Sequence, residues 1–209
     1  MIFHRFVITE SLGGLNFWKG NNALTFAIYP QHSLDSLGPY QARVYPHDLG
    51  TMEEIDAWFA REGIEFILED PARAVLYTVK KALLLFDWRF VPRSAQNALI
   101  DGETGAILRA GAPRPFYEDL LYSLPYVGAL LLIALGFAQT WRSARDATVL
   151  VGLLFLAWTA AHAVIVAYTR YRMPLDPFLL IWAAHGFSRL ASGIVARGRE
   201  RRQAKAPVA

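Results

Sequence analysis

The chain has 209 residues, is 54% hydrophobic and only 19% charged, and carries a net charge of +3. That is apolar for a soluble protein, in which about a quarter of residues are charged. There is no cysteine, which excludes disulfides, thiolate metal sites and cysteine nucleophiles. The charge is also divided. Residues 1–71 hold four Lys/Arg against ten Asp/Glu, a net of −6, which leaves the remainder at about +9. Two environments are expected rather than one core.

In chain order, the opening MIFHRFVITES has no apolar run long enough for a signal peptide. Residues 11–50 are crowded with Gly, Pro, Asn, Asp and Ser (SLGGLNFWKGNN, YPQHSLDSLGPY, YPHDLG) and read as loop with turns. Thr51-Met52-Glu53-Glu54 has the form of a capping box and predicts a helix to about Glu69. Asp70-Pro71 sets an N-cap before a first-position proline and predicts a second helix, roughly Ala72 to Phe86. Its Val75, Leu76, Val79, Leu83 and Phe86 fall toward one side. Its Arg73, Tyr77, Lys80 and Lys81 fall toward another. With DWRFVP closing it, the segment near 72–90 reads as a basic amphipathic helix lying at a membrane interface. A rival reading lets Ala72 to Phe90 span the bilayer, where each mid-segment lysine costs roughly 3 kcal/mol. Residues 93–116 read as a second loop, with DGETG and GAPRP as its turns.

Three apolar stretches follow: Leu120 to Trp141, Ala147 to Tyr168 and Met173 to Ser192. About twenty apolar residues cross a hydrocarbon core of roughly 30 Å. The expected fold is therefore mainly α and integral to a membrane. About three C-terminal transmembrane helices (120–192) follow a non-cytoplasmic helical and loop region (1–119), and a basic tail (193–209) ends the chain. Orientation follows from Lys/Arg in the short flanks. The tail carries five Lys/Arg against one Glu, and the first inter-span loop carries Arg142 and Arg145, so both are expected in the cytoplasm. The basic tail reads as a topogenic signal, not as a nucleic-acid contact.

Several stretches resemble bacterial membrane glycosyltransferases of family 39, relatives of the protein mannosyltransferases and aminoarabinose transferases. NFWKGNNA resembles the N-x-W-x-G-N-N segment of that family's large non-cytoplasmic loop. EDPARAVLYTVKKALLLFDWRFVP is similar to its D/N-P-turned helix rich in Leu and Lys. RYRMPLDPFLLIWAA is similar to its R-Y-R-x-P-x-x-P followed by an apolar helix. The order of these features runs over nearly the whole chain. The resemblance implies an enzyme of the bacterial plasma membrane that moves a sugar from a polyprenyl-phosphate carrier to an acceptor outside the cytoplasm. It implies no cofactor beyond that lipid-linked donor. The family's catalytic Asp lies in an earlier loop with no counterpart here. The expectation is thus a partial transferase without a catalytic residue of its own, with membrane lipids, the carrier and an upstream-encoded N-terminal half as partners. The alternative is a non-catalytic accessory or carrier-binding protein on the same scaffold.

Donor phosphate is expected near Arg170, Tyr171 and Arg172, with Lys80 and Lys81 as further cations; the competing reading of these cations is contact with anionic lipid head groups. Two arginines on the outer side run against the usual Lys/Arg bias, and their planar forks suit phosphate. Trp18, Lys19, Asn21 and Asn22 are the substrate-binding candidates, Trp18 as an apolar platform and the others as hydrogen-bonding groups. The competing reading of Gly20-Asn21-Asn22 is a plain turn with left-handed asparagine. His162 and His185 lie within the spans and read as neutral, hydrogen-bonded histidines, and no metal set is expected.

Overall fold

The computed structural model describes residues 12–166 and 168–203. The opening stretch read for a leader and the last residues of the basic tail lie outside the described residues. The protein is largely α-helical. By chain contacts it divides into two compact units: Met1–Asp119 with Trp158–Arg172, and Leu120–Ala157 with Met173–Ala209.

The first unit begins with helices where the sequence suggested only loop. These are α1 (Gly13–Gly20), α2 (Thr25–Ile28) and, after a 3-10 turn at Leu34–Leu37, α3 (Gly38–Val44). They are too short to persist alone. Packing holds them. Leu15, Trp18, Ile28, Leu34 and Leu37 enter one core with Phe59, Val91 and Ile100. Next comes α4 (Met52–Glu69), opened by the expected capping box. Thr51 Oγ1 accepts from the Glu54 amide at 3.2 Å, and Glu54 Oε2 accepts from the Thr51 amide at 3.0 Å. The Asp56 carboxylate also accepts from the Leu15 amide at 2.9 Å, tying α4 to α1.

α5 (Pro71–Leu85) starts as the Asp-Pro pair predicts, with the Asp70 side chain accepting from the Arg73 amide. Its buried stripe is Ala74, Lys81 and Leu85. Val75, Leu76, Val79 and Leu83 are all more than half exposed. The helix therefore turns a lysine inward and an aliphatic stripe outward, the reverse of a helix on a soluble core. The loop after it contains a short antiparallel hairpin, β1 (Leu99–Ile100) and β2 (Ile107–Arg109). Asp101 Oδ1 accepts from the Glu103 and Thr104 amides in its turn, and Gly105 closes it at φ +70°, where a side chain would be strained.

The three long apolar helices are α6 (Phe116–Ser143), α7 (Arg145–Val164) and α8 (Asp176–Gln203), the last preceded by a 3-10 turn at Thr169–Leu175. Each is long and apolar enough to cross a membrane. Only 11% of the most apolar stretch of α6 and of α7 is buried within the protein. Such surface needs an apolar solvent, and these are membrane-spanning helices. The second stretch departs from expectation at its end. The helix stops at Val164, and Val166 and Tyr168 are core residues of the first unit instead of lipid-facing ones. An apolar run looks the same in sequence whether lipid or protein covers it.

Within the second unit α6 and α8 approach closely at two glycines. A Cβ on Gly136 would lie 1.7 Å from the Trp182 carbonyl oxygen, and one on Gly186 would lie 2.0 Å from that of Leu132. Small residues allow such backbone approach between membrane helices, where packing rather than water exclusion drives association. Gly136→Leu is expected to destabilise the full chain by roughly 1–3 kcal/mol through overpacking. Gly128→Leu, at a position with open space around it, should stay within about 0.5 kcal/mol of the parent. Thermal unfolding in detergent micelles checks both.

Candidate functional site

The Gly20-Asn21-Asn22 segment ends α1, and its side chains do more than make a turn. Asn21 has φ −139°, so it is not left-handed. Its Nδ2 donates to the carbonyls of Phe17 at 2.8 Å and Val164 at 2.7 Å. Asn22 Nδ2 donates to the Trp18 carbonyl at 2.8 Å, and its Oδ1 accepts from the Leu24 amide at 2.8 Å. Trp18 is buried with its ring against Tyr40 and Phe59.

Lys81 completes this node. It has no exposed surface. Its ammonium donates to the carbonyl oxygens of Gly20 (3.0 Å), Val164 (3.1 Å) and Ile165 (3.1 Å) and to Asn21 Oδ1 (3.2 Å). Gly20 ends α1 and Val164 ends α7. Helix ends leave carbonyls without intrahelical partners and carry partial negative charge. One ammonium thus caps two helices. Burial pushes its pKa from 10.5 down to about 7. Glycine is needed at position 20, because a Cβ there would lie 1.6 Å from the Ile165 oxygen.

A second group of polar side chains lies at the surface of the same unit. Lys19 pairs with Asp35 at 3.1 Å. Ser33 Oγ donates to Asp35 Oδ2 at 3.1 Å and lies 3.2 Å from the Tyr168 hydroxyl. That hydroxyl accepts from the Leu34 amide at 2.8 Å, which fixes the ring. Arg170 is exposed, with its guanidinium 4.9 Å from the Tyr168 ring and 5.2 Å from the Tyr171 ring. Its Nη2 donates to the Tyr171 hydroxyl at 3.4 Å. Burial alone would raise the Asp35 pKa. The Lys19 hydrogen bond and charge, Ser33 and the charge of Arg170 outweigh it and hold the carboxyl below its ordinary value. The carboxylate is placed to orient the cations beside it.

The predicted residues thus separate. Lys19 and the Arg170–Tyr171 pair lie around the Asp35, Ser33 and Tyr168 cluster, with Arg170 exposed and Lys19 and Tyr171 partly buried. Trp18, Asn21, Asn22 and Lys81 are buried, and the side-chain polar groups of Asn21, Asn22 and Lys81 bond to the chain itself. Arg172 is buried as well. Lys80, one residue from Lys81, is exposed on α5, its ammonium 5.7 Å from the Phe26 ring centre. His162 is bonded through Nδ1 to the Trp158 carbonyl at 3.0 Å. Compared with known protein families, curated proteins and solved structures, the chain matches none.

Sequence reading missed Ser33, Asp35 and Tyr168. The Ser-x-Asp spacing was the available signal, since Ser33 caps the 3-10 turn by accepting from the Asp35 amide, but that pattern marks turns everywhere. A separate surface cavity of about 370 Å3 is lined by Tyr40, Arg43, Val44, His47, Gly102 and Glu103. Arg43 donates to Glu103 there, so its two opposite charges already satisfy each other.

Lys81→Met removes the shared donor and leaves buried carbonyls unmatched. It is expected to cost at least about 2 kcal/mol, while Lys80→Met stays within about 0.5 kcal/mol. The folded lysine holds its proton less tightly than the unfolded one. Unfolding therefore takes up a proton between pH 7 and 10.5, and stability rises with pH across that window. Lys81→Met should lack this slope. Chemical unfolding of the full chain at a series of pH values measures all three.

Proposed function

We propose that the first unit holds the phosphate of a polyprenyl-phosphate-linked sugar, as the donor-binding part of a membrane glycosyltransferase. The observation that carries this reading is the Arg170 guanidinium, exposed yet pinned beside two tyrosine rings at the head of the third span. A fixed arginine at that level suits a lipid phosphate and the charge that develops as the sugar departs. Lys19 supplies a second cation, oriented by Asp35, and Tyr171 a hydroxyl. Lys80 on α5 adds an exposed charge for the same lipid surface.

The topology that goes with this reading puts the first unit outside the cytoplasm and the basic end of α8 inside it, as the Lys/Arg distribution favours. α5 then lies in the interface with Val75, Leu76, Val79 and Leu83 in the acyl region, in keeping with their exposure. On this reading the catalytic carboxylate comes from a separate, upstream-encoded half and not from the residues described. A second reading, a carrier-binding accessory protein without catalysis, is favoured by Asp35, because the carboxylate in the patch is already paired with Lys19.

Full chain in lipid nanodiscs should bind labelled polyprenyl phosphate. Arg170→Gln is expected to weaken binding about tenfold, the value of one charge-assisted hydrogen-bond set. Arg170→Lys should recover part of it. Undiminished binding in Arg170→Gln would sink the reading. Transfer of labelled sugar when the N-terminal half is co-expressed favours the transferase. Binding with no transfer in that setting favours the accessory protein.

A further inference from the structure

We propose a second phosphate site, in the other unit, that takes the headgroup of an anionic glycerophospholipid carrying free hydroxyls. A cavity of about 370 Å3 there is lined by Leu135, Ala138, Gln139, Arg142, Ser143 and Arg189. All but Arg189 come from the last two turns of α6, and Arg189 comes from α8. The volume suits a small polar group with part of its glycerol.

The lining is graded along the helix. Arg142 and Ser143 lie at the end of α6, while Leu135 and Ala138 lie one to two turns deeper into the apolar span. A headgroup at the arginines would therefore leave its acyl chains beside Leu135, as in a bilayer. Two arginines from different helices, Arg142 of α6 and Arg189 of α8, line the cavity. Neither Arg142 nor Arg189 has an ion-pair partner among the described residues. Arginines so placed suit phosphate oxygens, and basic pockets between spans are where anionic headgroups bind. Gln139 Oε1 is buried without a hydrogen-bond partner among the described residues. A buried acceptor calls for a donor, which a phosphate diester lacks and a glycerol headgroup hydroxyl supplies.

This site is distinct from the Arg170 patch. Arg189 stands about 20 Å along α8 from Asp176, whereas Arg170 precedes that helix. It also differs from a general basic surface. Arg145, next in sequence to this cluster, lies with its guanidinium over the Trp141 ring at 5.4 Å and does not line the cavity.

Native mass spectrometry of the full chain, released from detergent with phosphatidylglycerol, phosphatidylcholine or inorganic phosphate, tests the proposal. Phosphatidylglycerol is expected to be retained about tenfold more strongly than phosphatidylcholine. Arg142→Gln with Arg189→Gln should abolish that preference, and Gln139→Leu should reduce it. Arg145→Gln, a surface charge change of the same kind, should leave it within about threefold. Equal retention of the two lipids, an unchanged preference in the double variant, or an equal loss in Arg145→Gln would overturn the site. Inorganic phosphate binding as tightly as phosphatidylglycerol would overturn the lipid assignment.

Discussion

A single ammonium group organises the first unit. Lys81 reaches from α5 to the ends of α1 and α7 and to the side chain of Asn21, and Asn21 Nδ2 joins it at the Val164 carbonyl. A buried charge without a carboxylate partner is costly. Here the partial negative ends of two helices take the place of the anion. The arrangement explains several neighbouring choices at once. Gly20 must lack a side chain for the Ile165 carbonyl to approach, Asn21 must offer both a donor and an acceptor, and α5 must present a lysine where a core helix would present leucine.

The second unit obeys different physics. Its helices bury little of their apolar surface against one another, and its closest approach is made by Gly136 and Gly186 across backbone carbonyls. Water exclusion cannot hold helices together inside lipid, so contact distance and dispersion must. Trp182 adds ring contacts with Phe137 and Phe155 beside that crossing. One chain therefore contains a polar-centred unit with aliphatic residues on its outside and a small-residue-packed unit of spanning helices.

What could be read from sequence follows the same division. The capping box at Thr51, the Asp70-Pro71 start of α5 and the three spans rest on local rules and period, and each starts within a few residues of expectation, although α8 runs on to Gln203, past the expected end at Ser192. The helices over residues 13–44 do not rest on local rules. They are rich in Gly, Pro and Asn and exist because Leu15, Trp18 and Leu37 have a core to enter. The candidate site was legible in part. Arg170 stood out as a cation expected on the outer side of a span, but Lys80 and Lys81 give identical signals as neighbours, and only tertiary context sends one outward and the other to the interior. Asn21 suggested a turn from its type, whereas its role depends on Val164, 143 residues away in the chain.

That separation bears on how the protein is made. The ribosome completes α1, α4 and α5 well before it reaches Val164, Ile165, Val166 and Tyr168. Until then Lys81 lacks two of its four oxygens and the first core lacks two of its members. The nascent first unit must wait, with a lysine unsatisfied and its core incomplete, until two spans have been threaded into the bilayer. Maturation of the polar half is thereby slaved to membrane insertion of the apolar half, and a chain whose second span fails to insert would present an open, protease-sensitive first unit.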